Sequence, residues 1–206
     1  GKIAIRAIWM CVGGIAIFVT IAAFVAKSRP ISQTQLYIVL ALVGVVVIVF
    51  ATLFAIFRKR MTAIFYIIGA GVLFGFVATL AKVVIDRIKT LSFTNFTFTP
   101  VEWLTALCLL ALVSAALLGT YFVQTAYSTG PPDLVVAGLT VIDPLVAVSI
   151  GLIVLGEAAD APLWAIIGFV VAASIAIYGV ISLAKHHPQV RPGDKLPGEQ
   201  IIDQIG

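Results

Sequence analysis

Six uninterrupted apolar runs set what this chain can become: about Ala7 to Ala26, Leu36 to Phe57, Thr62 to Ile85, Glu102 to Val123, Leu134 to Leu155 and Leu163 to Ala184. Each has the roughly 20-residue length that a helix needs to cross a hydrocarbon core about 30 Å thick. Inside lipid every backbone N–H and C=O must find a partner within the protein, so a spanning segment is either a helix or a strand of a closed barrel. Barrel strands are short and alternate with a polar lumen face, whereas these runs are continuously apolar. The sequence therefore predicts an all-α fold, a polytopic transmembrane bundle of about six helices. Composition agrees. The 206 residues are 62% hydrophobic and 11% charged, against roughly 25% charged in an ordinary soluble domain, and the mean hydropathy is +1.18.

A net charge of +4 and a pI near 9.2 would suit a nucleic-acid partner in a soluble protein. Here the basic residues gather at the ends of the runs, which excludes nucleic acid and points to a membrane surface. Short connectors make neighbouring spans antiparallel. With six spans, Lys2, Arg6, Arg58, Lys59, Arg60, Lys185, Arg191 and Lys195 share one side, and Lys27, Arg29, Arg87 and Lys89 the other. The bias predicts that both ends are cytoplasmic, in a plasma (inner) membrane. Cys11 and Cys108 lie inside apolar runs and read as small hydrophobes, not as a disulfide or metal site. His186 and His187 open a polar, proline-bearing stretch, 186–206, that reads as a flexible cytoplasmic tail. The chain begins at Gly1 and enters its first apolar run almost at once, which suggests that a preceding segment is missing.

Small residues recur at helical spacing. Gly71 and Gly75 form GxxxG with Ala78 on nearly the same face, and Gly168, Ala172 and Ala176 repeat in the last run. Such stripes let helices approach closely in lipid. Thr99, Pro100 and Glu102 fit a capping box, and Asp133 fits the first turn of a helix after Pro131 and Pro132.

Asp143, directly before Pro144, is harder to assign to a helix end. At 1.5 Å per residue it lies about 15 Å beyond Asp133 and about 21 Å short of Glu157, near the middle of the hydrocarbon core. A charge there costs at least roughly 2.5 to 3.5 kcal/mol, so such a residue faces a protein interior or a watery cavity. It either donates a hydrogen bond as a neutral acid or loads a proton or a cationic group. Pro144 removes one helical bond and leaves the Thr140 carbonyl free beside it. Lys82, Tyr121 and Gln124 are the other polar candidates. Lys82 and Asp86, at i, i+4, form either a local pair that snorkels to the interface or part of a cavity. Tyr121 and Gln124 either line that cavity or satisfy one another.

From Tyr121 to Tyr178 the chain resembles the second repeat of the drug/metabolite transporter superfamily, the EamA-like permeases. The likeness rests on YFVQTAYSTGP closing one helix, then on VIDPLVAVSIGLIVLGE, with Pro144, Gly151, Gly156 and Glu157 at the family's proline, glycine and terminal Gly-Glu positions. IIGFVVAASIAIYGV is similar to the closing glycine-bearing helix, and GAGVLFGFVATLAK to the opening one. A single connector stands between the third and fourth runs where a five-helix repeat has a further helix, a spacing nearer the NIPA-type branch. The resemblance implies that 1–60 forms the last two helices of a first repeat, that 61–185 forms a four-helix second repeat, and that about three helices are missing upstream.

The function expected from this resemblance is secondary transport of a small molecule or ion by alternating access, with Asp143 as the midplane charged group. The partners are then the lipid bilayer, the substrate and either a further membrane subunit or the missing helices. Two alternatives stand beside it: an accessory subunit packed against another envelope protein, and a flippase for lipid or lipid-linked sugar. No nucleophile elbow, metal-ligand cluster or phosphate loop is present, so neither an enzyme nor a cofactor is expected.

Overall fold

The computed structural model describes residues 2–27, 31–57, 62–90, 100–157 and 160–186. Among them the chain forms six helices and no strand: α1 (Lys2–Val25), α2 (Gln33–Phe57), α3 (Ala63–Thr90), α4 (Pro100–Thr129), α5 (Pro132–Ile153) and α6 (Leu163–His186). All six are long and apolar enough to cross a bilayer. This is a multi-pass helical membrane protein. Trp9, Phe24, Leu117 and Val170 are among many large apolar side chains left on the outside of the bundle, a surface that suits lipid and would be an aggregation liability in water.

Most of the hydroxyls are accommodated without help from other helices. Thr20, Ser114, Thr120, Thr125, Thr140, Ser149 and Ser174 each donate to the carbonyl four residues earlier, at 2.6 to 2.9 Å. This back-bonding lets a polar side chain sit in a lipid-facing helix without an unmet donor.

Helix adhesion then rests on close packing, and small residues decide where it occurs. α1 and α6 run antiparallel with their backbones in contact. A Cβ on Gly14 would stand 2.7 Å from the Ala176 nitrogen, and one on Gly179 would stand 2.8 Å from the Cys11 nitrogen. Ala172 and Ala176 are buried in this seam, and Gly168 faces Ile21.

α3 is the most enclosed helix, with α4 packed along one side and α5 along another. It runs parallel to α5 in a regular register. Ile67 fits over Gly138, Gly71 receives Ile142, and Gly75 receives Val146, where a Cβ would meet Val146 Cβ at 2.6 Å. α5 also touches α1 and α6, so it joins the α1–α6 pair to the rest, while α2 lies against α3 and α4. The helices at 1–60 thus pack onto those of 61–185, α1 on α6 and α2 on α4. The Arg58-Lys59-Arg60 turn, the Glu102 side chain and the stretch from His187 onward lie outside the described residues.

Candidate functional site

The end of α5 is built to return a carboxylate to the bundle. Gly156 adopts φ +69, a left-handed conformation open to glycine at little cost. The chain therefore reverses, and the Glu157 N–H donates back to the Gly151 carbonyl at 3.2 Å, while the Val154 and Leu155 N–H groups both reach Ile150. The Leu155 and Glu157 bonds reach back five and six residues, wider than the helical four, so the helix loosens as it ends. It lays the Glu157 side chain over Gly151, where a Cβ would stand 2.9 Å from the carboxylate Oε2. The two glycines thus have separate tasks, one turning the chain and the other leaving room.

Two other helices clasp this turn. The Lys27 N–H, just past α1, donates to the Glu157 carbonyl at 3.2 Å. Gln35 in the first turn of α2 is shared: its Oε1 accepts from the Ser32 N–H, its own N–H donates to Ser32 Oγ, and its Nε2 donates to the Leu155 carbonyl at 3.1 Å. A reciprocal capping box therefore fixes the amide that holds the loop.

So positioned, Glu157 forms an ion pair with Lys82 of α3. The carboxylate side chain is 12% exposed and that of the lysine 39%, so the pair lies between a surface bridge and a buried one. It borders a cavity of about 180 Å³ between α3 and α5, lined by Ala78, Thr79, Ala147, Val148, Gly151 and Leu155 besides the pair itself. The buried Thr79 hydroxyl is committed to the Gly75 carbonyl at 3.0 Å.

The local Lys82–Asp86 pair expected from i, i+4 spacing does not form. Lys82 turns to Glu157, because a well-enclosed carboxylate outcompetes an exposed one, and Asp86 instead approaches Lys89 at 3.7 Å. Glu157, which the sequence marks only through the family resemblance, is thus the partner of Lys82. Its signal was the flanking pair of glycines at 151 and 156.

Asp143 is half-buried on the flank of α5. Helix α5 runs through Asp143 and Pro144 without interruption, and its backbone here lies against the α3 glycines: a Cβ on Gly75 would stand 3.0 Å from the Asp143 carbonyl oxygen. Its carboxylate has no hydrogen bond or ion pair among the described residues. Ala147, one turn further along α5, lines the Lys82–Glu157 cavity, which Asp143 itself does not. Asp133 is exposed in the first turn of α5.

Tyr121 and Gln124 are elsewhere. Tyr121 packs edge-on against Phe54 at 5.7 Å and beside Phe122 at 6.2 Å. It belongs to an aromatic cluster with Phe50, Phe65 and Tyr66 around the buried Phe122. That cluster sits where α3 begins, about 24 Å along the helix from Lys82. Gln124 is exposed, and no hydrogen bond joins it to Tyr121. The five candidates therefore do not converge: Lys82 meets Glu157 at one end, Asp143 and Pro144 are mid-span, and Tyr121 and Gln124 are at the other end. Among the described residues no three His, Cys, Asp or Glu side chains come together as a metal site.

No known family profile matches the chain, and no solved structure matches it. It is similar to an uncharacterized protein of Corynebacterium glutamicum, 29% identical over 159 residues. That match takes in 77% of this chain but 53% of the relative, so the chain spans about half the length of the curated relative it matches.

One prediction follows from the α5 turn. Gly156→Ala forces a side chain into the left-handed region, costing roughly 1 to 2 kcal/mol, and loosens Glu157 from Lys82. Reversible unfolding of purified protein in mixed detergent and SDS micelles measures it. Unchanged stability would mean that the turn does not hold the pair.

Proposed function

We infer that this chain is the membrane-spanning body, or part of it, of a secondary transporter for a small molecule or ion, without a catalytic centre of its own. The observation that carries this reading is the Lys82–Glu157 pair between α3 and the turn that follows α5, set on a small open cavity beside the end of a glycine-packed seam. Ionisable groups within membrane helices are costly and mark substrate or proton paths. Asp143, one turn below the cavity and with no partner among the described residues, is the proton- or cation-loading group in this reading. The resemblance to EamA-like permeases at Pro144, Gly151, Gly156 and Glu157 supports the same class. Both chain ends face the cytoplasm of a plasma membrane.

The experiment is reconstitution in proteoliposomes loaded with a pH-sensitive dye and challenged with a panel of cations, amines and metabolites. Substrate-dependent proton movement is expected, and its complete absence across the panel would count against transport. Asp143→Asn should remove the pH dependence of uptake; a correctly inserted variant that transports normally across pH would remove the role assigned to Asp143. A flippase would instead move fluorescent lipid between leaflets in the same vesicles. Topology has its own readout: cysteines at Lys185 and Lys89 should label from opposite sides of the membrane, Lys185 from the cytoplasm.

A further inference from the structure

A second, larger cavity of about 510 Å³ lies on the opposite end of the bundle from Lys82 and Glu157. α3 and α6 both lean on α5 without a packed interface between them, and the gap is a groove. Its floor is apolar and closed, with Ile67, Leu134 and Val141 buried. Its rims are Ile68 on α3 and Ile177 and Ile181 on α6, all well exposed. Lys185, at the end of α6, is the one charged residue on its wall.

Three features restrict what can occupy it. The groove is within the range of sites that take whole ligands, yet it offers no hydrogen-bonding group along its floor, so the occupant is a hydrocarbon chain. From Lys185 down to Ile177 it runs about 12 Å, close to the half-thickness of a roughly 30 Å hydrocarbon core. An occupant that starts at the helix ends is therefore a chain of one leaflet. Among the described residues a single ammonium, that of Lys185, stands at the mouth, which a phosphate with net negative charge complements and a zwitterionic head group does not. Asp133, which precedes the lining residue Leu134, borders a different cavity, on the α1 side with Ile8 and Cys11, and Asp143, which follows the lining residue Ile142, is mid-span, so neither carboxylate lines the mouth beside Lys185.

We propose that the α3–α5–α6 groove is a binding site for an anionic phospholipid, one acyl chain lying on Ile67, Leu134 and Val141 and the head-group phosphate on Lys185. The site is independent of the Lys82–Glu157 pair and of any transport activity.

The test is lipid binding to the purified protein in detergent, read by native mass spectrometry with palmitoyl-oleoyl phosphatidylglycerol or phosphatidylcholine as the probe. Phosphatidylglycerol should bind about fivefold more tightly, the gain expected of one lysine at an anionic surface. Lys185→Ala, an exposed substitution, should erase that preference, and Lys89→Ala at the other end should leave it intact. Ala184→Trp, or Ile181→Trp on the rim, fills the groove and should weaken both lipids. Equal binding of the two lipids to the unaltered protein, or a preference that survives Lys185→Ala, overturns the proposal. So does soluble glycerol 3-phosphate competing as well as the intact lipid, because recognition would then need no groove.

Discussion

Gly75→Leu should open the α3–α5 seam and cost the folded protein about 3 kcal/mol, at the upper end of ordinary overpacking. At Gly75 a Cβ alone would meet Val146 Cβ at 2.6 Å and the Asp143 carbonyl oxygen at 3.0 Å. Neither is the free end of a flexible side chain, so α3 must move as a body. Because Lys82 lies two turns further along the same helix, the displacement also pulls it from Glu157, and transport should fall with stability. The internal controls are Gly13 and Gly44, where a Cβ would meet nothing within 4 Å. Alanine there should be neutral or gain up to about 1 kcal/mol, because glycine is a poor helix former. Unfolding in mixed micelles separates the cases, and a Gly75→Leu protein as stable as Gly44→Leu would mean that the seam is not closely packed.

The second large effect is an asymmetry within the ion pair. Removing one partner of a buried pair costs roughly 3 to 5 kcal/mol, whereas exposed pairs contribute about 0 to 1 kcal/mol. Glu157 is 12% exposed and Lys82 39%. Lys82→Met strands the enclosed carboxylate and should cost about 3 kcal/mol, near the buried limit. Glu157→Gln strands an ammonium whose stem can carry it to water, and should cost about 1 kcal/mol. The double variant Lys82→Met with Glu157→Gln should recover part of the larger loss, which a double-mutant cycle reads as coupling. Equal single costs, or additive ones, would contradict the geometry.

The six spans were legible because bilayer thickness imposes one length on every helix, and a continuous apolar run has no alternative use. Their ends were less so. α4 continues to Thr129, six residues past the predicted Val123, although Gln124 to Thr129 reads as a polar connector. Its hydroxyls bond back into the helix, Thr125 to the Tyr121 carbonyl and Ser128 and Thr129 to that of Thr125. α3 likewise extends through the charged turn at Asp86 to Lys89, whose side chains tolerate an exposed helix end. α5 stops at Ile153, short of Leu155, because Gly156 reverses the chain.

The site divides in the same way. Asp143 was visible as a carboxylate in a hydrocarbon run, a conflict that a single sequence displays directly. Glu157 was not, since its significance depends on a lysine in another helix, and no local period connects them. The i, i+4 partner Asp86 was a closer candidate and the wrong one, because spacing on one helix says nothing of how enclosed a distant carboxylate is.

The hydroxyls that bond within their own helices carry a thermodynamic consequence. Because they are occupied, the helices adhere along their length chiefly through dispersion and shape, the polar links being gathered at the α5 turn, and when they part in a bilayer their apolar faces meet lipid tails instead of water. The large heat-capacity change that curves the stability of soluble proteins comes from hydrating apolar surface, and here that surface stays dry. Separation of these helices should therefore follow an almost straight line against temperature, with no cold-denaturation branch.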